Sequence, residues 1–126
     1  MFKLKTVAAG AAAVAGGAFG AHAIKGTVTP DRMQTYSTAM NYLLLHSVAV
    51  VAIWSAARAL DRKEFNVGGW LIVAGMLIFA GSLFFLVVLD LPALGAVTPI
   101  GGVLMIAGWL SVAVGAVSAD RKSGSD

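Results

Sequence analysis

FNVGGWLIVAGMLIFAGSLFFLVVL, residues 65–89, is the stretch whose reading decides the fold, and it holds no charged residue. A helix rises about 1.5 Å per residue, so roughly 20 residues cross the ~30 Å hydrocarbon core of a bilayer. A run of this length reads as a transmembrane helix, with lipid as the solvent for the surrounding structure. Composition extends that reading to the whole chain. Of 126 residues, 59% are hydrophobic and only 12% are charged, against about 25% charged in an ordinary soluble domain. A soluble core of this size leaves too much surface exposed to hide that apolar excess. The chain therefore reads as a single polytopic membrane domain, residues 1–126.

Three more spans flank the central one. Before it, a span of about 40–60 is closed by the charged turn Arg58, Asp61, Arg62, Lys63 and Glu64. After it, Asp90 and the sequence Leu91-Pro92-Ala93-Leu94-Gly95 make a tight loop, and Thr98-Pro99 opens a fourth span of about 99–119. The central span itself is placed at about 67–89. The first span, about 4–24, is an Ala/Gly-rich run behind Lys3 and Lys5. A secretory signal peptide with Ala21-His22-Ala23 as its cleavage site is the competing reading there. The length of the apolar run favours a span that is kept.

Between the first two spans, Gly26 is placed as a C-terminal cap and Thr29-Pro30-Asp31 as a helix start: a threonine N-cap, proline at the first helical position and an acid at the positive dipole end. Met33, Tyr36 and Met40 recur at helical spacing. This predicts a short amphipathic helix at the interface, either separate or running on into the second span. The fold expected is all-α: a four-helix transmembrane bundle with an interfacial amphipathic helix between spans one and two.

Net charge is +3. The basic residues sit at the ends of apolar runs, where they act on orientation and on anionic lipid, which argues against nucleic acid as a partner. Lys3, Lys5, Arg58, Arg62, Lys63, Arg121 and Lys122 fall on one side of the four spans, and only Lys25 and Arg32 on the other. The positive-inside rule then places both termini in the cytoplasm of an inner-membrane protein. There is no cysteine, which removes disulfides, thiolate nucleophiles and cysteine metal ligands.

Small residues carry the packing signal. Gly68, Gly75 and Ser82 recur every seven residues in span three, Gly101, Gly108 and Gly115 in span four, and Gly10 and Gly17 in span one. A seven-residue repeat stays in contact along a left-handed supercoil, and small residues on that seam let backbones approach where lipid removes the hydrophobic incentive to associate. Span one carries two further ridges at four-residue spacing: Ala8, Ala12, Gly16, Gly20 and Ala9, Ala13, Gly17, Ala21. An echo of Gly-x-Val-Thr-Pro at 26–30 and 95–99 suits either two related hairpins or simply two good helix starts.

The polar residues are few. His22, Asn41, Tyr42, His46, Ser82 and Thr98 are all placed toward the outer side, and Tyr42 and His46, four apart, share a helix face. Together they predict one polar layer in the outer leaflet, facing the bundle interior because unsatisfied polar groups are costly there. It reads either as a small-ligand, ion or proton site or as interhelical hydrogen bonds that lock the bundle. Zinc lacks a third ligand. Haem ligation by His22 and His46 would need a pocket between tightly packed helices. Asp90 lies two turns from Ser82, so a hydrolytic triad does not assemble.

These residues also carry a resemblance. Gly17-Ala18-Phe19-Gly20-Ala21-His22-Ala23, then Ala39-Met40-Asn41-Tyr42 leading to His46, then Phe79-Ala80-Gly81-Ser82-Leu83, then Thr98-Pro99-Ile100-Gly101-Gly102 and Gly108-Trp109 resemble domain-of-unknown-function family 423, which includes bacterial YgdD-like and eukaryotic transmembrane-protein-256-like proteins. The likeness runs in order through nearly the whole chain. It departs where the family has Gln at Asn41 and Ser at Ala80. The resemblance implies a small four-span inner-membrane protein, marks His22, Tyr42, His46, Gly81, Ser82, Thr98 and Pro99 as motif positions, and implies no reaction.

The expected function is structural: a non-enzymatic, oligomeric subunit or assembly scaffold, with no catalytic residue, cofactor or metal assigned. Its expected partners are membrane lipids and further copies or other subunits of a membrane complex. A small-solute or proton transporter or channel using the polar layer is the alternative.

Overall fold

The computed structural model describes residues 2–124, and these are helical almost throughout. α1 spans Phe2–Phe19 and passes into a π-helical turn, Gly20–Ile24; α2 spans Pro30–Leu60, α3 Lys63–Val88 and α4 Thr98–Gly124, the last preceded by a 3₁₀ turn at Pro92–Ala96. The helices over Pro30–Leu60, Lys63–Val88 and the stretch from Pro92 to Arg121 are each long and apolar enough to cross a membrane. Gly10–Ile24 is a shorter apolar helix.

The helix ends follow local chemistry. Thr29 is extended and its hydroxyl accepts the Arg32 N–H at 3.3 Å, with Pro30 and Asp31 in the first turn. α3 closes with Asp90 at φ +54°, and the Leu91 N–H reaches back to the Leu86 carbonyl at 3.1 Å. That is the six-to-one bond of a Schellman ending, with an aspartate in the left-handed place usually taken by glycine. Gly26, at φ +91°, ends the first helix in the same region of conformational space.

Two expectations change here. The amphipathic stretch after Thr29 is helical but is not a separate element. No Gly or Pro interrupts residues 31–60, so it continues as the first turns of an α2 about 46 Å long. Its Tyr36 and Met40 face is buried inside the protein rather than laid on the interface. The second Thr-Pro also differs from the first. Thr98 is the first helical residue, not a cap. Its hydroxyl is turned away from the α4 amides, toward Ser82 and the Leu94 carbonyl.

Each helix packs chiefly on its neighbour in sequence: α3 on α4 most extensively, then α2 on α3, then α1 on α2. α1 shares no more than marginal contact with α3 or α4. The bundle is therefore open, with α1 at one edge. The α3–α4 seam explains its own strength. A Cβ on Gly68 would lie 2.7 Å from the Gly108 carbonyl oxygen, and one on Gly75 would lie 2.6 Å from that of Gly101. Gly115 continues the line, with a Cβ there 2.9 Å from Glu64 Cβ. Backbone thus meets backbone at Gly68–Gly108 and Gly75–Gly101, while Gly115 makes room for the Glu64 and Phe65 side chains.

On α1 the packing glycines are Gly16 and Gly20, which abut Met40 and the Tyr36 ring. Gly10 is in ordinary contact with Ser47 at 3.7 Å, while a Cβ on Gly17 would meet nothing within 4 Å. The seven-residue spacing of Gly10 and Gly17 therefore does not mark the α1 interface, because α2 lies against Gly16 and Gly20 of the four-residue ridge, while Ala8 and Ala12 on it are exposed. Ala9, Ala13 and Ala21, expected on the neighbouring ridge, lie outside the residues whose side chains are described.

Candidate functional site

The polar residues do not form one layer. They resolve into separate helix-to-helix contacts at different depths. Nearest the loops, Arg32 on α2 donates from Nη1 to the Leu86 carbonyl at 3.0 Å and from Nη2 to Asp90 at 3.0 Å. One turn deeper, the Tyr36 hydroxyl donates to the Gly16 carbonyl of α1 at 2.6 Å. Gly20 leaves room for the Tyr36 ring beside it. The π turn begins there and is closed by the Lys25 N–H on the Gly20 carbonyl at 2.8 Å. A π turn inserts one extra residue per bond, and this one carries the Gly20-Ala21-His22-Ala23 motif. His22 itself is exposed.

Between α3 and α4, the buried Ser82 hydroxyl lies 2.6 Å from the Thr98 hydroxyl and donates to its own helix at the Phe79 carbonyl, 2.9 Å away. Thr98 in turn points at the Leu94 carbonyl at 3.4 Å. The pair ties the start of α4 to α3. Ser82→Ala and Thr98→Val should each cost little, with a coupling of about 0.6 kcal/mol between them. A double-mutant cycle of detergent-induced unfolding measures it. A coupling near zero would show that the two hydroxyls do not hold each other.

His46 sits elsewhere. Its Nδ1 is 2.9 Å from the Tyr42 carbonyl one turn back, so that nitrogen carries the proton, and its Nε2 accepts the Trp109 indole N–H of α4 at 3.3 Å. One donor and one acceptor describe a neutral imidazole with both nitrogens engaged. The Tyr42 ring stacks on His46 at 5.6 Å and meets Phe79 of α3 at 4.6 Å. Trp109 is eleven residues from Thr98 along α4, and Tyr42 to His46 plus Phe79 to Ser82 is seven residues along α2 and α3. By either path His46 lies roughly 10–16 Å deeper than Ser82. His22 is separated from His46 by a similar distance, since the π turn packs beside Tyr36, ten residues or about 15 Å from His46 along α2. The three residues expected to converge therefore do not. Asn41 is exposed on α2.

The residues that sequence reasoning missed are Arg32, Tyr36 and Trp109. Tyr36 was legible only as part of an apolar face; its hydroxyl partner, Gly16, is a backbone carbonyl and leaves no side-chain signature. Ser47 and Ser111 behave alike, donating to the Leu43 and Glu64 carbonyls at 2.6 and 2.8 Å. Among the described residues, no group of three or more His, Cys, Asp and Glu is placed to hold a metal ion.

Two cavities lie along the same side of α2. One, of about 470 Å³, is walled by Ala12, Gly16 and Phe19 of α1 and by Leu77, Gly81 and Phe84 of α3, with Tyr36, Met40 and Leu43 as its floor. The other, also about 470 Å³, lies above it and is lined by Thr27, Thr29, Arg32, Val87 and Asp90.

Comparison with known proteins places these features in a family. The family model described as "Protein of unknown function (DUF423)" matches residues 16–102, which include the π turn, α2, α3 and the first turn of α4. The chain is 40% identical over 104 residues, 81% of its length and 83% of the relative's, to a UPF0382 membrane protein of Staphylococcus aureus strain USA300, and likewise to that of strain NCTC 8325. The corresponding protein of the bovine strain RF122 is 38% identical over the same length. No solved structure matches. The Gly16–Tyr36 and Ser82–Thr98 contacts and the seam from Gly75 to Gly101 all lie within the matched segment, and this multi-pass membrane protein belongs to the DUF423 family.

Proposed function

We propose that the protein is a structural component of the inner membrane that works by lateral helix association, as a homo-oligomer or as a small subunit of a larger membrane assembly. In this reading residues 1–126 form one domain with spans at about 4–24, 40–60, 67–89 and 99–119, and both termini are cytoplasmic. The basic residues at the α2–α3 turn and in the chain termini support that orientation.

One observation carries the reading. α1 is held by a single neighbour, and its outward surface is mostly small residues: Ala11, Ala12, Ala15, Gly17 and Ala18 are exposed, interrupted by Val14 and Phe19. The outward surface of α4 is bulkier throughout: Val103, Ile106, Leu110, Val114 and Val117 are all exposed. Bulky aliphatic groups are as well solvated by acyl chains as by protein, so such a face gains little by association. A small-residue face lets a second backbone come close enough for dispersion contacts that lipid does not match. The polar side chains support the same reading, since most of those between helices end on backbone carbonyls or on one another.

The natural absence of cysteine makes the test direct. Single cysteines at Ala11, Gly17 or Ala18 should form disulfide-linked pairs, or link to a partner, in native membranes under mild oxidant. Single cysteines at Val103 or Val114 should not. Equal cross-linking from both helices, or a clean monomer with no partner in gentle detergent, overturns the proposal.

A further inference from the structure

We propose that the groove between α1 and α3, together with the Arg32–Asp90 pair above it, is a binding site for one glycerophospholipid with a phosphoethanolamine headgroup. The groove exists because α1 and α3 both pack on α2 but scarcely touch each other. Small residues keep it open. A Cβ on Gly81 would meet nothing within 4 Å, and Ala12, Ala15 and Gly16 face it across the gap. Its lining is almost wholly apolar, and it descends from Tyr36 to Leu43, seven residues or about 10 Å along α2. At that depth the surrounding solvent is acyl chain, and an acyl chain is what the groove's shape and chemistry accept.

The upper cavity supplies the headgroup chemistry. Arg32 precedes Tyr36 by one turn on α2, and Val87 and Val88 follow Phe84 by one turn on α3, so the two cavities share α2 and α3 as walls. Arg32 uses Nη1 and Nη2 once each, toward Leu86 and Asp90, and the remaining three of its guanidinium N–H donors are left for an anion. Thr27 and Thr29 line the same cavity. Asp90 is held beside Arg32 through Oδ1 alone, with its side chain 84% exposed.

A cation and an exposed carboxylate side by side match a headgroup that carries a phosphate and an ammonium at the same spacing. The phosphate meets the Arg32 fork, and the ammonium meets the second oxygen of Asp90. An anionic phosphoglycerol headgroup would also place its phosphate on Arg32, but it carries no ammonium to offset the repulsion from the neighbouring Asp90 carboxylate. A choline headgroup supplies the charge but has no N–H to donate.

Native mass spectrometry of the full chain tests this, with an equimolar mixture of phosphatidylethanolamine, phosphatidylglycerol and phosphatidylcholine of identical acyl chains. The wild type should retain one phosphatidylethanolamine in preference to either competitor. Arg32→Gln should lower that retention about tenfold, the worth of one charge-assisted hydrogen bond. Asp90→Asn should abolish the preference over phosphatidylglycerol. At Gly81 a Cβ meets nothing within 4 Å, so Gly81→Leu should place its side chain in the groove and reduce retention of all three lipids, whereas Gly102→Leu, at a second position where a Cβ is unopposed but outside the groove, should not.

Equal retention of the three lipids by the wild type overturns the headgroup assignment. Retention unchanged in Gly81→Leu overturns the groove. A groove-dependent dimer that appears on delipidation and is lost in Gly81→Leu assigns the site to a second copy instead. Lipid retention is scored separately from oligomeric state, so failure here leaves the assembly reading above untouched.

Discussion

Gly101→Ala should destabilise the protein by about 1–3 kcal/mol, the range found when a packed interior is forced to accept an extra carbon. The added Cβ would sit 2.5 Å from the Phe79 amide nitrogen, 2.6 Å from the Gly75 carbonyl oxygen and 2.9 Å from Phe79 Cα. All three are backbone atoms of α3, so no side chain can rotate away, and relief requires α4 to move off as a body. Gly101→Leu should go further and separate the pair. The neighbouring glycine provides the control. A Cβ at Gly102 would meet nothing within 4 Å, so Gly102→Ala should fall within about 0.5 kcal/mol of the wild type. Unfolding in mixed micelles, followed by tryptophan fluorescence, compares the two. Equal effects at 101 and 102 would mean that α3 and α4 are not in backbone contact.

The second large effect is expected at Gly20, and it should be local. A Cβ there would run into the Tyr36 ring, with Tyr36 Cδ1 at 2.8 Å. Tyr36 is only 1% exposed and is anchored through its hydroxyl to Gly16. The ring cannot turn aside without giving up that bond. Gly20→Ala should therefore lift α1 from α2 at the π turn, at a cost of about 1–3 kcal/mol. Because α1 has one substantial neighbour, its release leaves α2, α3 and α4 packed on one another. Hydrogen exchange should show lost protection in α1 and the π turn, with little change across the Gly68–Gly108 and Gly75–Gly101 contacts. Gly16→Ala meets chiefly the flexible tip of Met40 and should cost less. A uniform loss of protection over all four helices in Gly20→Ala would contradict an edge position for α1.

These effects divide along what was legible in advance. The α3–α4 seam could be read from the chain because lipid leaves few reasons for glycine to recur every seven residues. The α1 interface could not be chosen the same way. Several small-residue ridges run along that helix, and the one used depends on where Tyr36 and Met40 of α2 present their bulk. The Arg32–Leu86, Tyr36–Gly16 and Ser111–Glu64 bonds end on carbonyls, which every residue has, so composition and spacing hold no trace of them. His46 was expected at the depth of Ser82 because span two was counted from residue 40. In the continuous α2 it lies beside Trp109, and the depth of each polar group follows from the axial offset between helices.

The amino-acid sequence by itself determined the bilayer as solvent, the helical class, the threonine cap of α2, the left-handed glycine after the π turn, and the close seam between α3 and α4. Those features follow from chemistry within a few residues or from a period along one helix. The tertiary structure decided which ridge of α1 is buried, that Thr98 serves a hydroxyl pair rather than a cap, that His22, His46 and Ser82 stand apart, and that a groove opens between α1 and α3. Each depends on the rotation and sliding of one helix against another, a long-range balance of packing that no local pattern encodes.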